Sequence, residues 1–318
     1  MAIISNTKVN IGKESTWGTG VAATDVIPVT SDPGFAVEYA AVRDQGRRGL
    51  PSRDYALLQG GGTSTVTLEG NAVPIGVGHL LYGVMGTWSA GAAVSGVYPH
   101  TFAVGATTPS YTIEDANPIQ ARRVVGAKCS EVAFAFTAAD GMLTNRSTWV
   151  GKPVATTTAT TGLTAEIAKP WLGIDASVSL AGSANTRVTA FDLTIARSQD
   201  AIHAAGSRDP MRIDEGPLEC TGSIAFDAGT SSVDDLVKYL GSSGAYTEEA
   251  MVVTCTYGAT TTLRSIVFTL TNANYGDGPA TRDLGNGLYQ ITLNFRGIYN
   301  TTDGGPVKVV LNNTKATY

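Results

Sequence analysis

Charged residues are scarce in this chain of 318 residues: they make up 15% of the sequence, against roughly 25% in ordinary globular proteins. Asp and Glu total 27 and Lys and Arg 22, so the formal net charge is −5. A protein that binds nucleic acid tightly needs clustered basic residues to displace counterions from phosphates. The acidic balance of this sequence therefore argues against a nucleic-acid-binding protein. Few charges favour β-sheets whose faces are covered by the core or by neighbouring subunits, with a monomer of neutral Thr/Ser surface as the alternative.

Cysteines and long apolar runs are equally few. Cys129, Cys220 and Cys255 are an odd set without CxxC spacing. They predict buried apolar side chains in a reducing compartment, and not a disulfide frame or a zinc site. The most apolar window, residues 72–85, is shorter than the ~20 residues of a membrane span. The first residues also have no long apolar segment typical of a secretory signal. We therefore expect synthesis in a cytoplasm and no membrane partner.

Residues that would carry chemistry are missing as well. The three histidines, His79, His100 and His203, have no second His or Cys at metal-ligand spacing. The sequence contains neither a GxSxG elbow nor a phosphate-binding Walker loop. Carboxylate pairs such as Glu114-Asp115 are explained more simply by solvated turns than by acid–base catalysis. The sequence therefore predicts that the protein is not an enzyme and uses no catalytic residues, no cofactor and no metal.

The first half of the chain shows a strand–loop–strand–helix order. Strand-like alternation begins at Phe35 and stops at the polar residues 43–54, which form a long loop or the tip of an extended hairpin. A β-branched strand follows at residues 65–68. Apolar residues then recur at the i, i+3, i+4 and i+7 spacing of one helix face. This predicted helix core face consists of Val77, Leu80, Leu81 and Val84.

The second half repeats this order. A strand at residues 191–195 runs into a polar loop that begins Arg197-Ser198-Gln199, which echoes Arg43-Asp44-Gln45, and a strand at residues 221–226 follows. A second apolar quartet keeps one constant offset from the first, and its residues are Val233, Leu236, Val237 and Leu240. Because order and offset agree, the sequence predicts a duplication.

The duplication suggests domain boundaries. Residues 1–33 carry scattered turn signals and are expected to form an N-terminal arm. Residues 34–154 would be the first unit, with extra residues around 87–121, and residues 171–318 the second unit. The Thr-rich residues 155–170 are the best candidate for a linker between them.

The polar loops at matching places in both halves are candidate contact sites. Such arginine-rich loops could bind phosphate, contact a neighbouring subunit or simply be solvated. Acidic residues within them, such as Asp44 and Asp54, cancel part of the charge, which favours contacts between subunits. The candidate contact residues are Arg43, Gln45, Arg47, Arg48, Arg53, Arg197, Gln199, Arg208 and Arg212.

Several degenerate segments resemble siphophage major tail tube proteins. These segments are residues 11–19, 25–30, 61–70, 132–136, 138–141 and 149–151. The resemblance implies a mainly β fold in which each unit is a β-sandwich or partly closed barrel with one flanking short α-helix. The duplication would then correspond to two tandem tail-tube-type units in one chain. The family has no catalytic residues to carry over.

The resemblance also implies an assembly. Rings of six units, whose inner sheets join into a β-lined channel, would stack into the hollow tail tube that delivers the genome to the host. Two units per chain give trimeric, pseudo-hexameric rings, with a hexamer of whole chains as the alternative. Further partners would be the tape measure, terminator and tip proteins of the phage tail. Double-stranded DNA would pass as non-specific cargo, which an acidic lumen would not hold. The expected location is the virion tail, after synthesis in the host cytoplasm.

Two other functions stay open on the sequence alone. One is another phage structural subunit, such as a capsid, decoration or tail-terminator protein. The other is a carbohydrate-binding β-sandwich adhesin. A carbohydrate-binding site of an adhesin would require exposed aromatic residues in its loops. The four tryptophans are instead dispersed along the chain, at Trp17, Trp88, Trp149 and Trp171.

Overall fold

The computed structural model describes residues 7–139, 141–227, 236–241, 244–258, 263–283 and 290–318. Within these residues the fold is mainly β, as predicted, and nineteen strands join by antiparallel pairing into one continuous sheet. The elements of the first half are β1 (Val9–Lys13), β2 (Asp25–Ile27), β3 (Gly34–Asp44), β4 (Ala56–Asn71), α1 (Pro74–Met85), β5 (Gly86–Ala90), β6 (Tyr98–Val104), β7 (Tyr111–Asp115), β8 (Ala121–Thr137), β9 (Thr144–Gly151) and β10 (Ala155–Thr157). The elements of the second half are β11 (Ala176–Leu180), β12 (Ser183–Asn185), β13 (Val188–His203), β14 (Pro210–Asp227), α2 (Leu236–Leu240), β15 (Glu248–Tyr257), β16 (Arg264–Asn274), β17 (Thr281–Asp283), β18 (Gln290–Gly297) and β19 (Lys308–Asn313).

Two long hairpins organise the sheet. Strand β3 pairs with β4, and β13 pairs with β14. The polar segment of the first half lies at the end of its hairpin, so residues 45–55 are a tip. In the second half β13 and β14 extend through most of the predicted polar loop, and only residues 204–209 form the tip. The register of the first hairpin shifts between Tyr39 and Ala41, and that of the second shifts between Arg197 and Gln199. Such shifts mark β-bulges, which bend a strand locally.

The two halves meet where β8 pairs with β13, from Thr137 opposite Ala190 to Glu131 opposite Ala196. This joint produces a run of strands that we call the eight-strand sheet. Its order is β3, β4, β9, β8, β13, β14, β18, β17. Because side chains alternate along a strand, one face of this sheet packs into the core while the other faces solvent.

A second layer of strands packs on the core face of the eight-strand sheet. In the first half, the ring of Tyr111 in β7 lies 5.3 Å from that of Trp149 in β9, between centroids. In the second half, the ring of Phe268 in β16 lies 5.1 Å from that of Phe134 in β8. The five-residue strand β5 and its partner β6 fall among the extra residues expected around 87–121. Through β6, which pairs with the last strand, β19, they attach the first half to the second.

Helix α1 lies inside this two-layer core. Pro74 occupies its first turn, where a missing N–H costs nothing. Gly86 ends it in the left-handed conformation, with φ of 86°. The apolar face predicted from the sequence is at most 1% exposed at each position: Val77, Leu80, Leu81 and Val84. It is covered by strands of both halves, mainly β8, β6 and β19.

Two segments differ from what the sequence suggested. The described part of the expected arm, residues 7–33, is packed into the fold, because β1 lies between β2 and β7 and buries Val9 and Ile11. The expected linker, residues 155–170, lies against the first half. Its strand β10 pairs with β8, and the Glu166 carboxylate accepts hydrogen bonds from the N–H groups of Ile75 and Gly76 at the start of α1.

Candidate assembly surfaces

The tip of the first hairpin, residues 45–55, is exposed and held by its own contacts. Arg48 forms an ion pair with Asp44, and its guanidinium lies 4.8 Å from the centroid of the Tyr55 ring. Gln45 Nε2 donates a hydrogen bond to Asp54 Oδ1 at 2.6 Å. The remaining arginines of this segment are also exposed: Arg43, Arg47 and Arg53. The tip therefore offers a shaped, mixed-charge surface that faces away from the chain.

Large apolar side chains are exposed beside this tip. Leu50 is 64% exposed, Leu57 70% and Leu58 60%. Single exposed apolar residues are common, but a group on one projecting element marks an interaction surface. The tip thus combines apolar and charged groups that the chain does not cover itself.

The tip of the second hairpin lies beside strand β4 of the first hairpin. The Gly62 N–H donates a hydrogen bond to the Arg208 carbonyl at 2.9 Å. Arg212 is exposed and donates from Nε to Asp214 Oδ1 at 2.7 Å. The structure therefore brings Arg208 and Arg212 to the same end of the eight-strand sheet as the arginine-rich tip.

Arg197 and Gln199 are not surface contacts, and that prediction is wrong. Both lie within β13, where Arg197 is 7% exposed and Gln199 9%. Arg197 donates hydrogen bonds to the carbonyls of Gly216, Gly105 and Ala106 at 2.9 to 3.1 Å. The strand alternation of residues 191–195 simply continues through both residues on the core-facing side. Period-two alternation was the sequence signal that could have identified them as buried.

Glu215 completes a buried polar cluster at the joint between the halves. It pairs with Lys128 and lies 3.6 Å from Arg197, between Oε2 and Nη2. It also accepts hydrogen bonds from the backbone N–H and the hydroxyl of Thr108. Burial alone would raise the pKa of Glu215, but the hydrogen bonds from Lys128 and Thr108 lower it below the usual value. The joint is therefore closed by a satisfied, charged network.

The opposite end of the eight-strand sheet is apolar. A groove of about 380 Å³ beside the β8–β9 turn is lined by Phe136, Met142 and Phe191, among others. A neighbouring groove of about 310 Å³ is lined by Phe136 and Ile174. Met142 is 44% exposed and Ile174 69%. This end lies away from the hairpin tips because the first groove adjoins the beginning of β13, whereas the tip of the second hairpin follows the end of β13.

Helix α2 differs from its expected counterpart. Val237 is 59% exposed and Leu240 68%, so the prediction that they form a buried helix face is wrong for the single chain. Leu236 is partly covered, and Val233 lies outside the described residues. The physical reason is the surroundings: strands of both halves cover α1, whereas α2 has contacts mainly with β18.

The solvent face of the eight-strand sheet carries small, polar and acidic side chains. Glu69 pairs with Arg146 at 3.1 Å, and Arg296 lies 3.5 Å from Glu219 and 3.2 Å from Asp277. The charged residues on this face along the middle of these strands are Glu38, Glu69, Glu131, Arg146, Asp192, Glu219 and Arg296. Acidic groups outnumber basic ones among them. Composition alone did not single out this set, although strand alternation could have.

A partly buried titratable cluster lies beside α1. His79 Nε2 is 3.0 Å from Asp25 Oδ2, and Lys315 Nζ lies 2.7 Å from Asp25 Oδ1. Burial lowers the pKa of His79, against the raising effect of Asp25. Burial alone would raise the pKa of Asp25, but its hydrogen bonds with His79 and Lys315 hold it well below its usual range. The rings of Tyr111 and Tyr318 pack edge-on against His79, while the side chains of Asp25 and Lys315 are 16% and 20% exposed, so the cluster lies at the border of the core.

Among the residues that the structure describes, no group of three or more His, Cys, Asp or Glu is arranged to hold a metal ion. No described helix is long and apolar enough to cross a membrane. Cys129, Cys220 and Cys255 are free and buried.

Comparison with protein families decides among the functions left open. A family model described as phage tail tube protein matches residues 4–297. The chain belongs to the phage tail tube protein family. A search of curated proteins finds no match. The resemblance noted in the sequence is thereby confirmed over most of the chain.

Membership of the tail tube family fixes the class of function. The chain is a structural subunit of the phage tail tube, a component of the virion tail, and not an enzyme. Tail tube proteins polymerise with themselves, so its first partner is a second copy of the chain. The capsid, decoration, terminator and adhesin alternatives are set aside by this match.

Proposed function

We propose that this tail tube protein is a tandem duplication, three copies of which close a pseudo-sixfold ring, and that the rings stack into a tube conducting DNA to the host. The observation that carries the proposal is the eight-strand sheet, built from two hairpins of the same plan. A hexamer of whole chains is the alternative ring.

The two hairpins share a plan in which Arg197 corresponds to Tyr39, and not to Arg43 as the sequence suggested. Tyr39 and Arg197 each precede a register shift in their hairpin, and Gly62 and Leu218 lie opposite them. The offset between Gly62 and Leu218 is the same as the offset between the predicted quartets of α1 and α2. One constant offset through a strand and the following helix supports two tandem units, residues 34–154 and 171–318, in one chain.

The solvent face of the eight-strand sheet is the surface best suited to line the lumen. Glu38, Glu131 and Glu219 project from it among Thr, Ser and Ala side chains. Acidic groups repel phosphates, so DNA would pass such a wall without adhering to it. Double-stranded DNA is then a cargo that meets the wall without specific contacts.

The two ends of the sheet suit head-to-tail stacking. The hairpin tips, with Arg47, Arg48 and Leu50, lie at one end, and the apolar grooves beside Phe136 lie at the other. Different surfaces that meet head to tail do not close on themselves and so generate a filament. We assign the candidate contact residues at the tips to this ring-to-ring contact: Arg43, Gln45, Arg47, Arg48, Arg53, Arg208 and Arg212. At the tube ends the same surfaces would meet terminator and tip proteins, while the tape measure protein would occupy the lumen.

Electron microscopy of the purified protein tests the proposal. We expect rings or tubes with a central channel in negative stain, at concentrations where self-association is favoured. A protein that stays a monodisperse monomer at high concentration, with no rings or tubes, would contradict it.

A further inference from the structure

Residues 314–318 follow the last strand, β19, and pack against the first half of the chain. Strand β19 ends at Asn313, and the residues after it lie outside the strands. Lys315 Nζ donates hydrogen bonds to both carboxylate oxygens of Asp25, at 2.7 and 2.8 Å. The Lys315 carbonyl accepts a hydrogen bond from His100 Nε2 at 2.8 Å. The segment therefore fastens the second half to the first through side chains.

The ring of Tyr318 fills a socket on the first half. Tyr318 is only 7% exposed, and a Cβ added at Gly78 of α1 would lie 2.0 Å from its Cζ. Its hydroxyl donates a hydrogen bond to the Ile75 carbonyl at 3.1 Å, and its backbone oxygen accepts one from Lys13 Nζ at 2.9 Å. Four aromatic rings surround it at 5.0 to 6.2 Å between centroids: His79, Trp88, His100 and Phe102.

His79 of α1 couples this segment to acid. His79 Nε2 donates to Asp25 Oδ2, the carboxylate that also holds Lys315. His79 Nδ1 is buried, and among the residues that the structure describes it has no hydrogen-bond partner. A proton on Nδ1 would therefore be a buried donor without an acceptor, which costs free energy. The neutral ring suits the closed segment, and the protonated ring does not.

The charges in this region also oppose protonation of His79. Two carboxylates, Asp25 and Glu166, balance two ammonium groups, Lys13 and Lys315, so one more proton is not compensated. Burial lowers the pKa of His79, and the two lysines lower it further, against the raising effect of Asp25. The other titratable groups packed around His79 and Tyr318 are Tyr111 of β7 and His100 of β6.

We propose that residues 314–318 form an acid-sensitive latch, which is closed on α1 while His79 is neutral and opens as a unit when His79 is protonated. Opening withdraws Lys315 from Asp25 and the Tyr318 ring from His79, so it removes both a neighbouring cation and the cover of the imidazole. The open state then binds the proton more readily and gains population below about pH 6.5. The latch would release the start of α1 while the sheet stays folded.

Fluorine NMR of the full chain follows the latch. 3-Fluorotyrosine is incorporated at position 318, where the surrounding rings should separate the resonances of the closed and open states. We expect the open resonance to rise at least tenfold between pH 7.5 and 5.5, while far-UV circular dichroism stays unchanged. A spectrum that is the same at both pH values would overturn the proposal. Loss of the dichroism signal in step with the open resonance would overturn the latch as a separate unit.

Substitution of single histidines identifies the group that responds. His79→Gln keeps a donor for Asp25 but does not titrate in this range, so its latch should stay closed at both pH values. His203→Gln is the matched control at an exposed histidine and should respond as wild type does. His100→Gln should keep a rise on acidification. A response that is lost in His100→Gln and kept in His79→Gln would overturn the assignment to His79.

A lysine substitution tests the ion pair at constant pH. Lys315→Met removes the cation that binds Asp25, and should raise the open resonance at least tenfold at pH 7.5. Lys169→Met is the matched control at an exposed lysine and should leave the spectrum unchanged. Equal spectra of Lys315→Met and wild type would overturn the role of the Asp25 pair in closing the latch.

Discussion

Tyr39 and Arg197 occupy the same place in two hairpins of the same plan, each directly before a register shift, yet only Arg197 is buried. Arg197 meets the first half of its own chain through the carbonyls of Gly105 and Ala106. Tyr39 lies on β3, which among the described residues pairs only with β4. The second hairpin is covered within the chain and the first is not, and this difference links the fold of the chain to its assembly.

Replacing Arg197 should weaken the joint between the halves. Arg197→Ala removes the donors of three backbone carbonyls and one cation beside Glu215. Loss of one partner from a buried polar network leaves groups without solvent or hydrogen bonds, and we expect a loss of about 3 kcal/mol in the free energy of unfolding. Urea denaturation followed by tryptophan fluorescence measures it. Arg212→Ala, which removes an exposed ion pair, should leave the midpoint nearly unchanged. Equal effects of the two substitutions would refute the assignment.

Reversing charge at the hairpin tip should stop stacking without unfolding the protein. Arg47→Glu/Arg48→Glu changes exposed residues only, so the melting temperature should stay within a few degrees of wild type. Tubes seen by electron microscopy should be replaced by single rings or short stacks. Arg47→Lys/Arg48→Lys keeps the charge and should still form tubes. If the charge-reversed variant forms tubes of normal length, the tip is merely solvated.

Acidification should destabilise the protein through His79. Burial lowers the pKa of His79 in the folded state. Below about pH 6.5, His79 therefore becomes protonated in the unfolded chain while it stays neutral in the folded chain. The contribution of neutral His79 to the free energy of unfolding is therefore complete above that pH. Below it, the free energy of unfolding falls by at most about 1.4 kcal/mol per pH unit. Asp25, with a lowered pKa, adds a loss in the same direction at more acidic pH. His79→Gln should flatten the profile of unfolding free energy between pH 7 and 5, and a profile as steep as that of wild type would contradict this.

Basic residues on the proposed lumen wall should make tubes retain DNA. Glu38→Lys/Glu131→Lys reverses two groups on the solvent face of the eight-strand sheet. Tubes of this variant should bind double-stranded DNA at low salt and release it as salt rises, whereas wild-type tubes should not bind. Ile119→Lys/Val94→Lys adds two lysines at exposed positions elsewhere. Retention of DNA by that control alone would place the lumen on another face.

Alternation and helical spacing predicted much of the fold. They located strands of both hairpins and the buried face of α1, because Val77, Leu80, Leu81 and Val84 are covered by the chain itself. The same spacing failed at Val237 and Leu240. Apolar spacing predicts that a helix face is covered, but it does not indicate whether the same chain or a neighbouring one covers it. Arg197 and Gln199 were predicted to lie at the surface because they are charged and polar. Their position in the period-two alternation instead places them on the buried face of β13. The inclusion of residues 7–33 in the fold depends on pairing of β1 with the distant β7, which no local pattern reveals.

The number of chains per ring tests the central claim most directly. Native mass spectrometry of rings from Arg47→Glu/Arg48→Glu, together with a cross-section of wild-type tubes, counts chains and reveals symmetry. Three chains of 32.9 kDa around a channel with pseudo-sixfold features is the result that two tandem units predict. Six chains per ring would contradict the account, because each chain would then contribute only one ring position.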